Sequence, residues 1–70
     1  MTPIYLRIEY YRTRKGWSQA QLARGSGVNQ SVISRLESGE TQSVNLSNLH
    51  NLAKALEVPA AALIDEREDD

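Results

Sequence analysis

Residues 17–40 read WSQAQLARGSGVNQSVISRLESGE. Two short helical patterns lie in this stretch, separated by Ser26-Gly27-Val28-Asn29. The first opens on Ser18 with Gln21 three residues later, a capping box in which each side chain can serve a backbone N–H of the other. It carries Leu22 and Ala23 inward and stops near Gly25 to Gly27. Asn29 is placed to cap the second pattern, Gln30 to Ser38, which points Ile33 and Leu36 to a core before Gly39 closes it. Gln30, Ser31, Ser34 and Arg35 are left on the outer face. A small domain needs all the buried surface it can find, so an outer face of this composition asks for a reason.

Working outward, a helix is expected from the Thr2 cap and Pro3 at the first helical position, with Ile4, Ile8, Tyr11 and the stem of Lys15 on one face and Gly16 as its stop. Beyond Gly39 a polar loop leads to Asn45 as the next cap. Leu46, Leu49, Leu52, Ala53 and Leu56 then form the cleanest amphipathic stripe in the chain. A short turn, Ala60 to Ile64, follows Pro59. Nothing alternates like a strand, so the fold class is all-α, a compact five-helix bundle with short connections. Residues 1–64 are expected to form one domain, and residues 65–70 an acidic, disordered tail.

Composition narrows the functions. The 70 residues contain no cysteine, which excludes disulfides and thiolate metal sites and suits a cytoplasmic location. No signal peptide is expected, and no apolar run approaches the ~20 residues of a membrane span. The Asn29 and Asn45 sequons are read as chance. The single histidine, His50, has no cysteine or second histidine to join it, so no metal is expected. Neither a P-loop nor a dinucleotide-binding glycine pattern occurs, so no cofactor, no small-molecule ligand and no enzymatic activity are expected. Charge is split: residues 1–35 carry six bases against one acid, and residues 36–70 two bases against eight acids. Such a division fits one face for a polyanion, but charge alone favours the plainer reading of a basic helix with a solvated acidic tail.

The reason for the polar face lies in the pairing of helices two and three. Joined by a short turn containing Gly27, they have the arrangement of a helix-turn-helix, whose second helix enters the DNA major groove. Glutamine can bond adenine through two atoms, arginine can do the same to guanine, and serine can donate or accept. A helix face that is merely solvated would more often carry lysine and glutamate.

The run from Ile8 through Leu63 resembles the Cro-like (XRE-type) helix-turn-helix family, which includes the lambdoid phage repressors. The residues that carry the resemblance are Arg12, Gly16-Trp17-Ser18-Gln19, Leu22-Ala23, Ser26-Gly27-Val28, Ile33-Ser34-Arg35-Leu36-Glu37, Gly39 and Leu52-Ala53-Lys54-Ala55-Leu56. Two departures stand at the end: Glu57 where the family often has glycine, and Pro59 where a polar cap is usual. The resemblance implies a lambda-repressor-like DNA-binding fold and a transcriptional regulator, a repressor by preference, acting on double-stranded DNA. It implies that Gln30, Ser31 and Arg35 face bases; Ser34 either touches a base or phosphate or faces water. Gln19 is implied to contact phosphate and to brace Gln30, and Asn29, Gln42 and Ser43 to lie near phosphates, beside Thr41. Arg12 and Glu37 match a structural ion pair between helix one and the end of helix three. Each also sits beside apolar residues, where a charge needs a partner.

Trp17, after Gly16, reads as a lid on the core. Tyr5, Leu6 and Tyr10 fall outside the helix-one stripe and lean towards a protein contact. One recognition helix touches few base pairs, so a homodimer on a palindromic operator is expected. Val58, Ala61, Leu63 and Ile64 are the first choice for its contact, since their apolar content exceeds what so short an element can bury alone; Tyr5 and Leu6 are the second. The rival reading is a protein-interaction module or antitoxin of the same fold. The low net charge favours it, and the lack of aromatic or aliphatic anchors on helix three argues against it.

Overall fold

The computed structural model describes residues 4–41 and 43–64, with side chains from Arg7 onward. Within them the chain forms α1 (Ile4–Arg14), α2 (Gln19–Ser26), α3 (Gln30–Ser38), α4 (Leu46–Leu56) and α5 (Ala60–Leu63). The expected cap at Thr2-Pro3, the loop residue Gln42 and the tail 65–70 lie outside the described residues, as do the side chains of Ile4, Tyr5 and Leu6.

Local signals set the helix ends. The Gln21 N–H donates to Ser18 Oγ (3.1 Å) and the Ser18 N–H donates to Gln21 Oε1 (2.7 Å), which satisfies two of the orphan donors at the start of α2. Asn45 caps α4 by accepting from the Asn48 N–H at 2.7 Å. Gly27 and Gly39 close α2 and α3 in the left-handed region, at φ 78 and φ 87, where a Cβ would be strained.

The core lies between α4, which packs on α1, α2 and α5, and α3, which packs on α1 and α2. Ile8, Leu22, Ile33, Leu36, Leu52 and Leu63 are fully buried, with Val28, Leu49, Ala53 and Leu56 nearly so. Tyr11 and Trp17 are half-buried against this cluster, so Trp17 is the lid that its position after Gly16 predicts. The Lys15 ammonium sits 4.9 Å from the centre of the Trp17 ring, a cation–π contact that keeps the lysine stem along the core edge.

Two expectations fail. Leu46, placed in the α4 stripe, is 78% exposed: it lies at the edge of the stripe in the first turn, beside a groove lined by Leu49, His50, Asn51 and Ala60. Leu63, assigned to a partner surface, is fully buried, because α5 packs on both α1 and α4 and this side chain faces them.

The departure at Glu57 has a visible cost. Glu57 ends α4 at φ 62, ψ 40, with its N–H donating to the carbonyls of Ala53 and Lys54. It is the one positive-φ residue other than glycine among the described residues. Its carboxylate is exposed and lies 3.5 Å from Lys15 Nζ, a contact that stabilises little. Glu57→Gly is therefore expected to raise stability by about 0.5–1 kcal/mol, the relief of the left-handed strain exceeding the added freedom of the unfolded chain. In a thermal melt this appears as a rise of about 2–8 °C for a domain of this size. A fall in Tm would show that Glu57 contributes more than its geometry suggests. Pro59 offers no side-chain cap to α5, yet the turn forms, held by the Ala62 N–H donating to Pro59 O at 2.9 Å.

Candidate nucleic-acid interface

The turn between α2 and α3 sets their angle. The Gly27 N–H donates back to Ala23 O at 2.9 Å, and the Val28 N–H donates to Ser26 Oγ at 3.1 Å. The Val28 side chain is buried, so the turn is pinned to the core between two caps. Three residues, Gly27 to Asn29, thus reverse the chain into α3.

On α3, Gln30, Ser31, Ser34 and Arg35 are all exposed, while Ile33 and Leu36 are fully buried. With 3.6 residues per turn, the four exposed side chains occupy one continuous arc of roughly 140°. The arc faces away from the core and carries three kinds of hydrogen-bonding group: a carboxamide, two hydroxyls and a guanidinium. Apart from the Ser31 proton, which is donated to Asn29 Oδ1 at 2.8 Å, its hydrogen-bonding groups are available to a ligand in water.

Asn29 is the N-cap of α3. Its Oδ1 accepts from the Ser31 N–H at 2.9 Å and from the Ser31 hydroxyl at 2.8 Å. Gln19 opens α2 and is half-buried. The brace to Gln30 that the resemblance implies is not made; Nε2 instead donates to Glu37 Oε1 at 2.9 Å. A carboxylate accepts only, which orients the Gln19 carboxamide and turns it towards the C-terminal end of α3. Ser43 is exposed and Thr41 half-buried, joined by the Ser43 N–H donating to Thr41 Oγ1 at 3.1 Å. Neither carries a charge. Gln42 lies outside the described residues.

Glu37 is the hub behind this surface. Arg12 donates to it through Nε (2.7 Å, to Oε2) and NH2 (2.8 Å, to Oε1), and its NH1 donates to Trp17 O at 2.9 Å. The two side chains are 13% and 5% exposed. The hydrogen bonds that Arg12 donates to Glu37 raise the Arg12 pKa above its ordinary value, against the lowering effect of burial and with help from the charges of Glu37 and Glu9. The ion pair expected between Arg12 and Glu37 is thus present, and the structure shows it to be bidentate; it ties α1, the α1–α2 turn, the start of α2 and the end of α3 to one carboxylate. The Gln19 member of this network was missed by sequence reasoning. So was the Ser31–Asn29 hydroxyl bond, although the spacing of two residues between an asparagine and a serine at a helix start is a usable signal for it.

Among the dimer candidates, Ala61 and Ile64 are exposed and Val58 is half-buried, whereas Leu63 is not accessible. Tyr10, also marked for contact, is 46% exposed. The guanidinium carbons of Arg7 and Arg14 lie 5.7 and 5.3 Å from its ring centre. His50 is exposed at the rim of the Leu46 groove. No helix among the described residues is long and apolar enough to cross a membrane.

Comparison with known proteins agrees with this geometry. SlrR of Bacillus subtilis, an HTH-type transcriptional regulator, is 40% identical over 58 residues, covering 83% of this chain and 38% of its own length. The HTH-type regulator SinR of the same organism is 32% identical over 63 residues, covering 90% of this chain and 57% of its own. A Neisseria meningitidis protein described as a hypothetical transcription factor is 39% identical over 57 residues, 81% of this chain and 53% of its own. The chain therefore spans about half the length of most curated relatives it matches. Among solved structures, SinR in complex with DNA superposes with a TM-score of 0.86 at 32% identity, covering 89% of this chain and 98% of that one. The N-terminal DNA-binding domain of B. subtilis SinR gives 0.87, covering 94% and 96%. The helix-turn-helix family model matches residues 8–63, and the chain belongs to that family.

Proposed function

We propose that this domain binds double-stranded DNA sequence-specifically as a transcriptional regulator, with α3 in the major groove, and represses by occupying its operator. The observation that carries the reading is the exposed arc of Gln30, Ser31, Ser34 and Arg35 on a helix whose opposite side is fully buried. Such a helix can enter a groove without disturbing the core, and its side chains are those that read base edges. The relative SinR, of the same fold, has been solved with DNA. In this arrangement α2 crosses the phosphate backbone, which makes Gln19 and the α3 cap Asn29 the candidates for phosphate, joined by Gln42 and Ser43 of the following loop. The domain works by binding rather than by catalysis.

Gln30→Ala and Arg35→Ala are each expected to lose about 1–3 kcal/mol of discrimination at particular base pairs, with unfolding unchanged within about 0.5 kcal/mol because both side chains are exposed. Site selection from a random duplex library, followed by titration of single-base variants, measures this. Two variants that rank every duplex as the parent does would remove α3 as the reading element.

We further propose that two copies act together on a two-fold related site, with half-sites about 34–36 Å apart. The second copy is the occupant that an isolated domain lacks, since one helix reads too few base pairs to select a site. Ala61 and Ile64 remain as the surface for it, and the exposed Leu46, which lines one groove with Ala60, adds apolar area.

A further inference from the structure

The bond between Ser31 and Asn29 restricts what Ser31 can say to a base. A serine hydroxyl has one proton and two lone pairs, and ordinarily rotates to suit whichever partner it meets. Here the rotation is settled by a neighbour. Asn29 Oδ1 lies 2.9 Å from the Ser31 backbone nitrogen, which can only donate, so this atom of Asn29 must be the carbonyl oxygen and not the amide nitrogen. The Ser31 Oγ is 2.8 Å from the same oxygen. Between a carbonyl oxygen and a hydroxyl, the hydroxyl must supply the proton. Ser31 therefore turns its only proton back to the cap and presents lone pairs outward.

We infer that Asn29 is a specificity-determining residue that touches no base: by holding the Ser31 proton, it makes Ser31 a reader of amino groups. This rests on the proposed entry of α3 into the major groove. Adenine and cytosine show an amino group there, through N6 and N4, while guanine and thymine show O6 and O4. An outward lone pair makes a hydrogen bond with the first two. Against a keto oxygen it meets another acceptor, and both lose water without gaining a partner. The bond to Asn29 is local, between residues two apart on one helix end, so the approach of DNA does not have to break it. Arg35 can only donate and Gln30 can do either, so the fixed hydroxyl supplies an acceptor whose polarity does not adapt. Turning the hydroxyl around sacrifices one neutral hydrogen bond, which sets the preference for amino over keto bases at about fivefold.

The test selects sites from a random duplex DNA library with the 70-residue chain and with three variants, Asn29→Gly, Asn29→Asp and Ser31→Ala. Glycine is tolerated at an N-cap with little loss of stability, and circular dichroism checks that each variant stays helical. The parent is expected to show one position on one strand where adenine and cytosine exceed guanine and thymine about fivefold. Asn29→Asp keeps the acceptor and the preference. Asn29→Gly frees the proton and brings the four bases to near equality there, and Ser31→Ala does the same. An Asn29→Gly protein that retains the parental preference overturns the inference while leaving α3 as the reading helix. Retention in Ser31→Ala overturns it as well, and does so even should the glycine variant prove unfolded. A parent that selects no sequence at all fails differently: the proposed function falls, and this inference with it.

Discussion

Glu37→Ala is expected to lower the unfolding free energy by about 2–4 kcal/mol. The carboxylate accepts three hydrogen bonds, two from Arg12 and one from Gln19, and is 5% exposed. Its removal leaves a guanidinium that is only 13% exposed with Trp17 O as its remaining described acceptor. Breaking a buried pair from one side costs about 3–5 kcal/mol, because the abandoned charge stays desolvated; partial access of water to Arg12 reduces this. A domain of this size has about 4–10 kcal/mol in total, so the variant should be near the edge of folding. Urea unfolding, followed by helicity and by Trp17 fluorescence, measures the loss. The double variant Arg12→Met with Glu37→Leu should recover most of it, since paired apolar side chains can replace a buried ion pair at little cost. A loss below about 0.5 kcal/mol in the single variant, the level of a surface substitution, would mean that the pair does not hold the helices together. On DNA the single variant loses the geometry of α2 against α3, so affinity falls with stability and not at one base.

Leu63 and Ile64 are neighbours in sequence with opposite expected responses to aspartate. Leu63 is fully buried and Ile64 is 42% exposed. Leu63→Asp places a carboxylate in an apolar core without a partner, at a cost of several kcal/mol, and is expected to leave the chain unfolded at 25 °C. Ile64→Asp should change stability by about 1 kcal/mol or less. If the two-copy arrangement is right, Ile64→Asp weakens binding to a two-half-site duplex more than to an isolated half-site. Sedimentation on both duplexes decides between the arrangements: equal losses move the contact elsewhere, and a 1:1 complex on the full site removes the dimer. Loss of DNA binding in Leu63→Asp would say nothing about an interface, because it reports folding.

Much of the domain is legible in the sequence alone. The caps at Ser18, Asn29 and Asn45, the glycine stops at 16, 27 and 39, and the apolar spacing of Leu22, Ile33, Leu36, Leu49, Leu52 and Leu56 are signals carried by a few adjacent residues. Each is satisfied by backbone groups within one turn, so neighbouring structure has little power to change it. The same locality made the outer face of α3 readable: once Ile33 and Leu36 point inward, helical geometry leaves Gln30, Ser31, Ser34 and Arg35 outside.

What tertiary structure decided is burial at helix ends and the choice of hydrogen-bond partner. Leu46 and Leu63 have the same composition signal, yet one is exposed and the other is in the core. Periodicity states which face of a helix is apolar and is silent on where a neighbouring helix ends. Gln19 chose Glu37, eighteen residues away, because α3 brings that carboxylate within 3 Å of its amide; no local pattern encodes that distance. Glu57 took a left-handed conformation because the turn between α4 and α5 requires it, against the preference of its own side chain. Local chemistry thus determined the helices and the polar outer face of α3, and the packing of those helices determined which side chains remain free to touch anything else.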